Sequence, residues 1–193
     1  MPDSQCAVHD DTVVADTRRW LEQAVIGLNL CPFAKAVHVK GQVHYAVSRA
    51  TVPAELLGDL RRELLELVAI DAELRDTTLL MAPSCLQEFL TFNDFLAQAD
   101  RVLEELALEG VIQIAAFHPQ FEFADAAPGD ITHFTNRAPY PTLHLLREDS
   151  VARAVEVFPE AKMIFEKNKQ TLNSLGHAGW AQLKLGATVP NGG

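Results

Sequence analysis

The sequence lacks the clusters of basic residues that nucleic-acid-binding surfaces need. Its 193 residues include 16 Lys and Arg against 26 Asp and Glu, which gives a formal net charge of −10. No run of Lys or Arg is longer than two residues. A protein that binds a duplex lines up cations along the phosphates and displaces their counterions. We therefore expect no nucleic-acid partner.

Long apolar runs and paired cysteines are also missing. No stretch approaches the roughly 20 apolar residues of a membrane-spanning helix. The acidic start, MPDSQCAVHDD, lacks the basic and apolar regions of a signal peptide. The three cysteines, Cys6, Cys31 and Cys85, are an odd number without disulfide-type spacing. These absences predict a cytoplasmic protein with reduced thiols and no membrane partner.

Apolar residues are abundant enough for one folded domain. Hydrophobic side chains make up 48% of the chain, and its 193 residues suit a single core. We expect a globular domain over residues 12–185, with flexible tails at 1–11 and 186–193. No linker or repeat interrupts that domain, and the sequence leaves the oligomeric state open.

The periodicity of the apolar residues predicts helices that alternate with short strands. Strands are expected at 42–48, 77–82, 111–117 and 142–146. Helices are expected over about 12–28, from Pro53, after a capping box of Ser84 and Gln87, after a cap at Ser150, and from Pro159. Gly110 and Gly176 are expected to end two of these helices.

This alternation predicts an α/β or α+β fold in which helices cover a small mixed sheet of about four strands. The expected order of elements is α-β-α-β-α-β-long loop-β-α-α. The last two strands have no helix between them, so the sheet is expected to be mixed and not purely parallel. Strand order does not follow from the sequence.

A segment of 24 residues, 118–141, joins the third and fourth strands without helical or strand periodicity. Loops of this length are uncommon inside compact domains and are often functional. Aromatic residues, which solvated linkers lack, predict that this loop is ordered. They are Phe121, Phe123, Phe134 and Tyr140. We expect the Tyr140–Pro141 peptide bond to be cis, because cis bonds are confined to X-Pro and favour tight turns.

Polar residues near the two ends of this loop predict a small-molecule site. His118 follows the carboxyl end of the third strand, where ligands bind in open α/β sheets. Arg137 suits a carboxylate or a phosphate, and the Asn136 amide both donates and accepts hydrogen bonds. His144 lies on the fourth strand and returns to the neighbourhood of His118 if the two strands pair.

Each of these residues also has a purely structural explanation. His118 could cap the strand end and bond a carbonyl, Arg137 could pair with a loop acid such as Glu122, and His144 could be a core histidine. We favour the functional interpretation because several such residues surround one ordered loop. His133 is expected at the surface, since nothing in the sequence positions it.

A second candidate centre is LNLCPFAK, at residues 28–35. Its Cys-Pro-aromatic order is similar to that of thioredoxin-like sites, but here a helix is expected to precede Cys31, and position 34 is alanine instead of a second cysteine. Cys31 is expected to be a buried thiol. The alternatives are that Cys31 is a nucleophile paired with a histidine, or that it is a zinc ligand together with His118 and His144. Lys35 is expected to be a solvated surface lysine.

The chain resembles an uncharacterised bacterial family, domain of unknown function 1415, in three long strings. They are LNLCPFAK, IQIAAFHPQF at 112–121 and TNRAPYPTLHLLRED at 135–149. The resemblance extends from about Arg18 to Trp180. It implies that the signature positions of the family are Cys31, Pro32, Phe33, His118, Pro119, Asn136, Arg137, Tyr140, Pro141 and His144. It implies no activity and no cofactor.

These observations predict an enzyme that acts on a small anionic molecule, with His118 as general acid or base. The expected catalytic residues are His118, His144 and Cys31, and the expected substrate-binding residues are Asn136, Arg137, Tyr140 and Phe121. One alternative is a non-catalytic module that binds a ligand or a protein. Another is a metalloprotein that uses Cys31, His118 and His144. The sequence identifies no cofactor.

Overall fold

The computed structural model describes residues 3–157 and 163–188. The α-helices in these ranges are α1 Asp3–Trp20, α2 Ala34–Val39, α3 Pro53–Ala69, α4 Phe89–Glu105, α5 Glu148–Val157 and α6 Ile164–Gln182. The strands are β1 Val43–Val47, β2 Thr77–Met81, β3 Ile112–Phe117 and β4 Thr142–Arg147. A π-helical segment, Leu21–Ile26, continues α1, and a 3₁₀ helix, Ile131–Thr135, lies in the long loop. The predicted α+β architecture is confirmed.

The first helical region differs from its predicted bounds. It begins at Asp3 instead of Thr12, and its last turn is π-helical instead of α-helical. A Cβ atom added to Gly27 would lie 2.3 Å from the carbonyl oxygen of Gln23, so only glycine fits where this wide turn closes. The short helix α2 was not predicted, because none of its six residues is buried and it shows no apolar stripe.

Two predicted helix caps are wrong. The N-cap of α4 is Glu88, whose carboxylate accepts hydrogen bonds from the backbone N–H groups of Leu90 and Thr91 at 3.1 and 2.7 Å. The Gln87 amide instead donates to the carbonyl of Pro83 at 2.9 Å. Ser150 lies inside α5 and donates to a carboxylate in a neighbouring loop.

The predicted ends of two helices, α4 and α6, also differ from those in the structure. Helix α4 ends at Glu105, before Gly110, which adopts a φ of +72° in the turn that follows. The predicted start of the last helix at Pro159 lies outside the described residues. Gly176 breaks the helical geometry of α6 with a φ of 64° and a ψ of 174°, but the helix resumes and continues to Gln182.

The sheet has the strand order β1-β2-β4-β3. Strands β1 and β2 are parallel, whereas β4 is antiparallel to both of its neighbours, so the sheet is mixed as predicted. The pairing of β3 with β4 places Ala116 opposite Leu143 and Ala115 opposite His144. Directly paired residues point to the same face of a sheet, so this register decides which loop residues can meet.

The two faces of the sheet carry separate cores. Buried strand residues on the face that packs against α3 and α4, here called the α4 face, are Ala46, Leu80, Ile112, Leu143 and Leu145. The opposite face, here called the α1 face, packs against α1 and the π-helical segment. Its apolar strand residues include Leu79, Met81 and Phe117. In the described part of the chain, no helix is long and apolar enough to cross a membrane.

Two arginines fix the carboxyl end of α3 to the sheet. Arg147 at the end of β4 donates hydrogen bonds to the carbonyls of Leu67 and Ile70, which have no helical partner of their own. The buried guanidinium of Arg75 forms an ion pair with the buried carboxylate of Glu63. This end of α3 is therefore held by charged side chains of β4 and of the loop before β2.

Candidate functional site

The 118–141 loop is ordered by its aromatic side chains. The ring of Phe121 packs against Phe89 of α4 and against Phe123, with 5.0 Å between centroids in both pairs. Phe134 packs edge-on against Trp180 of α6 at 4.9 Å. The loop is thus attached to two helices. The expectation of a cis Tyr140–Pro141 bond is wrong: this bond is trans.

His118 occupies a closed, fully hydrogen-bonded position on the α4 face. Its Nε2 lies 3.0 Å from the carbonyl oxygen of Leu86, and its Nδ1 accepts the backbone N–H of Gln120 at 3.0 Å. These partners assign a neutral imidazole with the proton on Nε2. The side chain is buried against the rings of Phe89 and Phe92. Burial also lowers the pKa of His118. Both ring nitrogens are thus occupied by backbone groups.

His133, like His118, is a buried histidine bonded to the backbone through both ring nitrogens. Its predicted surface position is wrong. The ring is completely buried. Its Nδ1 accepts the backbone N–H of Phe123 at 3.1 Å, and its Nε2 lies 2.9 Å from the carbonyl oxygen of Ala127. The imidazole therefore bridges two parts of the loop, which explains why a polar residue is tolerated there.

His144 lies on the other side of the sheet. It shares the α1 face with Phe117, whose ring centroid is 6.1 Å from that of the imidazole. The hydroxyl of Thr77 donates to the carbonyl of Leu145 at 2.6 Å, so it accepts the Nε2–H of His144 at 2.7 Å. Desolvation lowers the pKa of His144 to about 4. The expected meeting of His118 and His144 is therefore wrong.

Cys31 and Tyr140 also belong to the α1 face. Cys31 packs, partly buried, beside Trp20, and the thiol receives backbone N–H groups of Phe33 and Ala34 at the start of α2. A helix precedes Cys31, as expected, and the short helix α2, which was not predicted, follows it. Burial outweighs these N–H groups and raises the pKa of the thiol, which stays protonated at neutral pH.

The hydroxyl of Tyr140 is occupied by a buried carboxylate. It donates to Oδ2 of Asp16 on α1 at 2.7 Å, and the same oxygen accepts the backbone N–H and the hydroxyl of Thr188, both at 2.8 Å. Tyr140 therefore ties α1 and residue 188 to the start of β4. Among the described residues, no group of three or more His, Cys, Asp or Glu is arranged to hold a metal ion. The metalloprotein alternative thus has no supporting geometry there.

Arg137, Asn136 and Phe121, unlike the other candidates, do come together beside His118. The backbone N–H of His118 donates to the carbonyl of Asn136 at 3.1 Å, and the Asn136 amide donates to the carbonyl of Ala116 at 3.2 Å. Nε of Arg137 donates to the carbonyl of Phe121 at 3.1 Å. These bonds hold both side chains at the carboxyl end of β3.

The guanidinium of Arg137 is stacked on an aromatic ring. Its central carbon lies 4.4 Å from the ring centroid of Phe134. Both residues belong to a 3₁₀ helix and the turn after it, where residues three apart lie on the same side. This spacing is the signal that could have added Phe134 to the predicted site. Together with Asn136 and Phe121, these two residues are called the Arg137 site below.

The charge of Arg137 is poorly compensated. The side chain is 20% exposed, and the nearest carboxylate is that of Glu122, 3.9 Å from Nη2 and itself 50% exposed. Desolvation lowers the pKa of Arg137, an effect that Glu122 partly opposes. Within the described ranges, Nη1 and Nη2 have no hydrogen-bond acceptor. Two parallel donors are therefore available to a bound group.

One protein family matches most of the chain. A family described as "Protein of unknown function (DUF1415)" matches residues 12–182. The chain belongs to this family. The match includes all of the predicted site residues and confirms the resemblance seen in the sequence. No curated protein and no solved structure matches the chain, so the function is argued from the geometry of the site.

Proposed function

We propose that the protein binds a small molecule through a carboxylate or phosphate group at Arg137. The observation that carries this proposal is a recessed guanidinium whose two terminal nitrogens have no close acceptor in the described structure. Arginine presents these nitrogens as a planar fork that matches two oxygens of a carboxylate or phosphate. Stacking on Phe134 fixes the plane of that fork before a ligand arrives.

The energetics of the site support an anionic partner. A cation that is partly removed from water loses hydration, and a well-placed anion compensates for that loss. The chain has 26 acidic residues, yet the only carboxylate near Arg137 in the described structure lies at the outer limit of an ion pair. A bound anion would supply the missing compensation.

The geometry favours binding over acid–base catalysis. His118 lies next to the site, but proton transfer would first have to break its hydrogen bond to Gln120 or to Leu86. Leaving such a buried group unpaired costs about 1–3 kcal/mol. Of the functions expected from the sequence, a non-catalytic ligand-binding module therefore agrees best with the Arg137 site.

In this proposal the other members of the Arg137 site determine orientation. The Asn136 amide nitrogen is occupied by Ala116, so the amide oxygen is the atom that can accept a hydrogen bond from a ligand. Phe121 supplies an apolar wall, and its carbonyl holds Arg137 in place. The site therefore suits a ligand with an anionic group and a neighbouring hydroxyl or amine.

A thermal-shift experiment with inorganic phosphate and succinate tests the proposal. At ten times the dissociation constant, a ligand adds about 1.4 kcal/mol of stability, which raises the Tm of a domain of this size by roughly 3–6 °C. Arg137→Lys keeps the charge but removes the fork, and it should abolish most of this shift. The matched control is Arg101→Lys, which makes the same substitution at an exposed arginine on α4.

The proposal fails if Arg137→Lys responds like the wild-type protein and like the Arg101 control, because the shift would then come from another site. It also fails if no small carboxylate or phosphate stabilises the wild-type protein at concentrations up to about 20 mM, since even a dissociation constant of about 2 mM would give the shift described above.

A further inference from the structure

A cleft on the opposite side of the fold from the Arg137 site combines unpaired charges of both signs. It lies between α2, the loop before β2, and α5, and its volume is about 180 Å³. The residues that line it are Ala36, Val37, Lys40, Gln42, Ala72, Glu73, Asp76, Ser150 and Arg153. Pockets for drug-sized ligands occupy about 300–1,000 Å³, so this cleft suits a smaller molecule.

One wall of the cleft is preformed. The buried side chain of Gln42 donates to the carbonyls of Ala72 and Glu73 at 3.3 and 3.0 Å. The carbonyl of Gln42 in turn accepts the backbone N–H groups of Asp76 and Thr77 at 3.0 and 3.3 Å. These four bonds fix the 72–76 segment against the start of β1. The position of the Glu73 backbone is therefore set without a ligand.

Two of the charged residues in the cleft neutralise each other. The hydroxyl of Ser150 donates to Oδ1 of Asp76 at 2.5 Å and accepts Nη2 of Arg153 at 2.9 Å. This chain of hydrogen bonds links α5 to the 72–76 segment. It leaves Lys40 as the remaining cation of the cleft and Glu73 as the remaining anion.

Lys40 and Glu73 both line the cleft but do not pair. In the described part of the chain, neither side chain forms an ion pair with any residue. A simple anion would satisfy Lys40 and be repelled by Glu73, and a simple cation would do the reverse. A small molecule that carries both charges would satisfy the two residues at once.

Two exposed aliphatic residues, Val39 and Leu74, flank the unpaired charges in the sequence. Val39 is 75% exposed and Leu74 is 73% exposed, and each is adjacent in sequence to one of the two unpaired charges. Exposed aliphatic residues beside a charged cleft can cover the side chain of an apolar ligand. We propose that this cleft binds a small zwitterion of the amino-acid type, with its carboxylate on Lys40, its ammonium on Glu73 and an aliphatic side chain at the rim.

Titration of the isotope-labelled full chain by NMR tests this assignment with L-valine, isovalerate and isobutylamine. The last two compounds lack the ammonium and the carboxylate of valine, respectively. With L-valine, the amide signals of Ala72, Asp76 and Ser150 should shift and saturate. Both analogues should bind about tenfold more weakly or worse, because each loses one charge-assisted hydrogen bond.

Variants locate the two charges. Lys40→Met and Glu73→Gln replace exposed side chains, and each should reduce L-valine affinity about tenfold or more. The matched controls Lys184→Met and Glu104→Gln, also exposed, should leave it unchanged. The inference is overturned if L-valine produces no saturable shifts, if isovalerate binds as tightly as valine, or if the two cleft variants bind like the controls. None of these results depends on Arg137.

Discussion

The neutral state of His144 makes the stability of the protein depend on pH in a way that can be calculated. Its pKa falls from 6.5 to about 4 on folding, because the ring is desolvated on the α1 face. The unfolded chain therefore binds a proton more readily than the folded chain does. The stabilising contribution is complete above a pH of about 6.5 and is lost as the pH falls toward 4.

The size of the effect follows from the linkage between protonation and folding. With these two pKa values, lowering the pH from about 7.5 to about 5 reduces the free energy of unfolding by about 2 kcal/mol through His144 alone. This figure is an upper bound, since the residue retains intermediate exposure. His144→Gln removes the titration but keeps an N–H donor for Thr77.

Urea denaturation of the wild-type protein and of His144→Gln at both pH values measures the effect. Other titrating groups, His118 among them, are common to both proteins and cancel in the comparison. The wild-type protein should lose more stability than the variant between the two pH values, by up to about 2 kcal/mol. A stability difference that stays constant within about 0.5 kcal/mol would refute the assignment of His144 as a desolvated neutral group.

Three further substitutions separate structural from ligand-binding roles, and urea denaturation measures each of them. His118→Ala should cost about 3–5 kcal/mol, because it opens a cavity and leaves two buried partners unpaired; a loss below about 1 kcal/mol would contradict its structural role. Arg75→Met should cost about 3–5 kcal/mol, because it leaves the buried carboxylate of Glu63 without its closest cation. Adding Glu63→Gln should recover part of that loss. Tyr140→Phe should cost about 1.5–3 kcal/mol without changing ligand binding at Arg137.

The positions of the strands could be predicted because each strand has a recognisable pattern of apolar residues in its own sequence. Strand β2 is buried throughout, β3 is mostly apolar, and β4 alternates between polar and apolar residues over its first four positions. Apolar stripes in the sequence likewise predict helices α3 and α4. Helix α2 has no such stripe and was missed. Its packing against the π-helical segment is a tertiary feature that the sequence does not carry.

The grouping of the site residues could not be predicted, because it depends on strand register. A shift of one residue in the pairing of β3 with β4 would have placed His144 on the same face as His118. A loop of 24 residues does not fix that register, whereas a two-residue hairpin would. Arg137, Asn136 and Phe121 were grouped correctly, since local loop contacts bring them together. Cellular location and macromolecular partners stay predictions.

The side-chain signal of Arg137 tests the central claim most directly. Its Nε–H resonance can be assigned in an NMR spectrum by its loss in Arg137→Lys. Inorganic phosphate or succinate should shift this resonance saturably, while the signal of the exposed Arg101 should respond weakly. An Arg137 resonance that stays unchanged over the full titration, or that moves no further than that of Arg101, would contradict the proposal that this guanidinium holds the ligand.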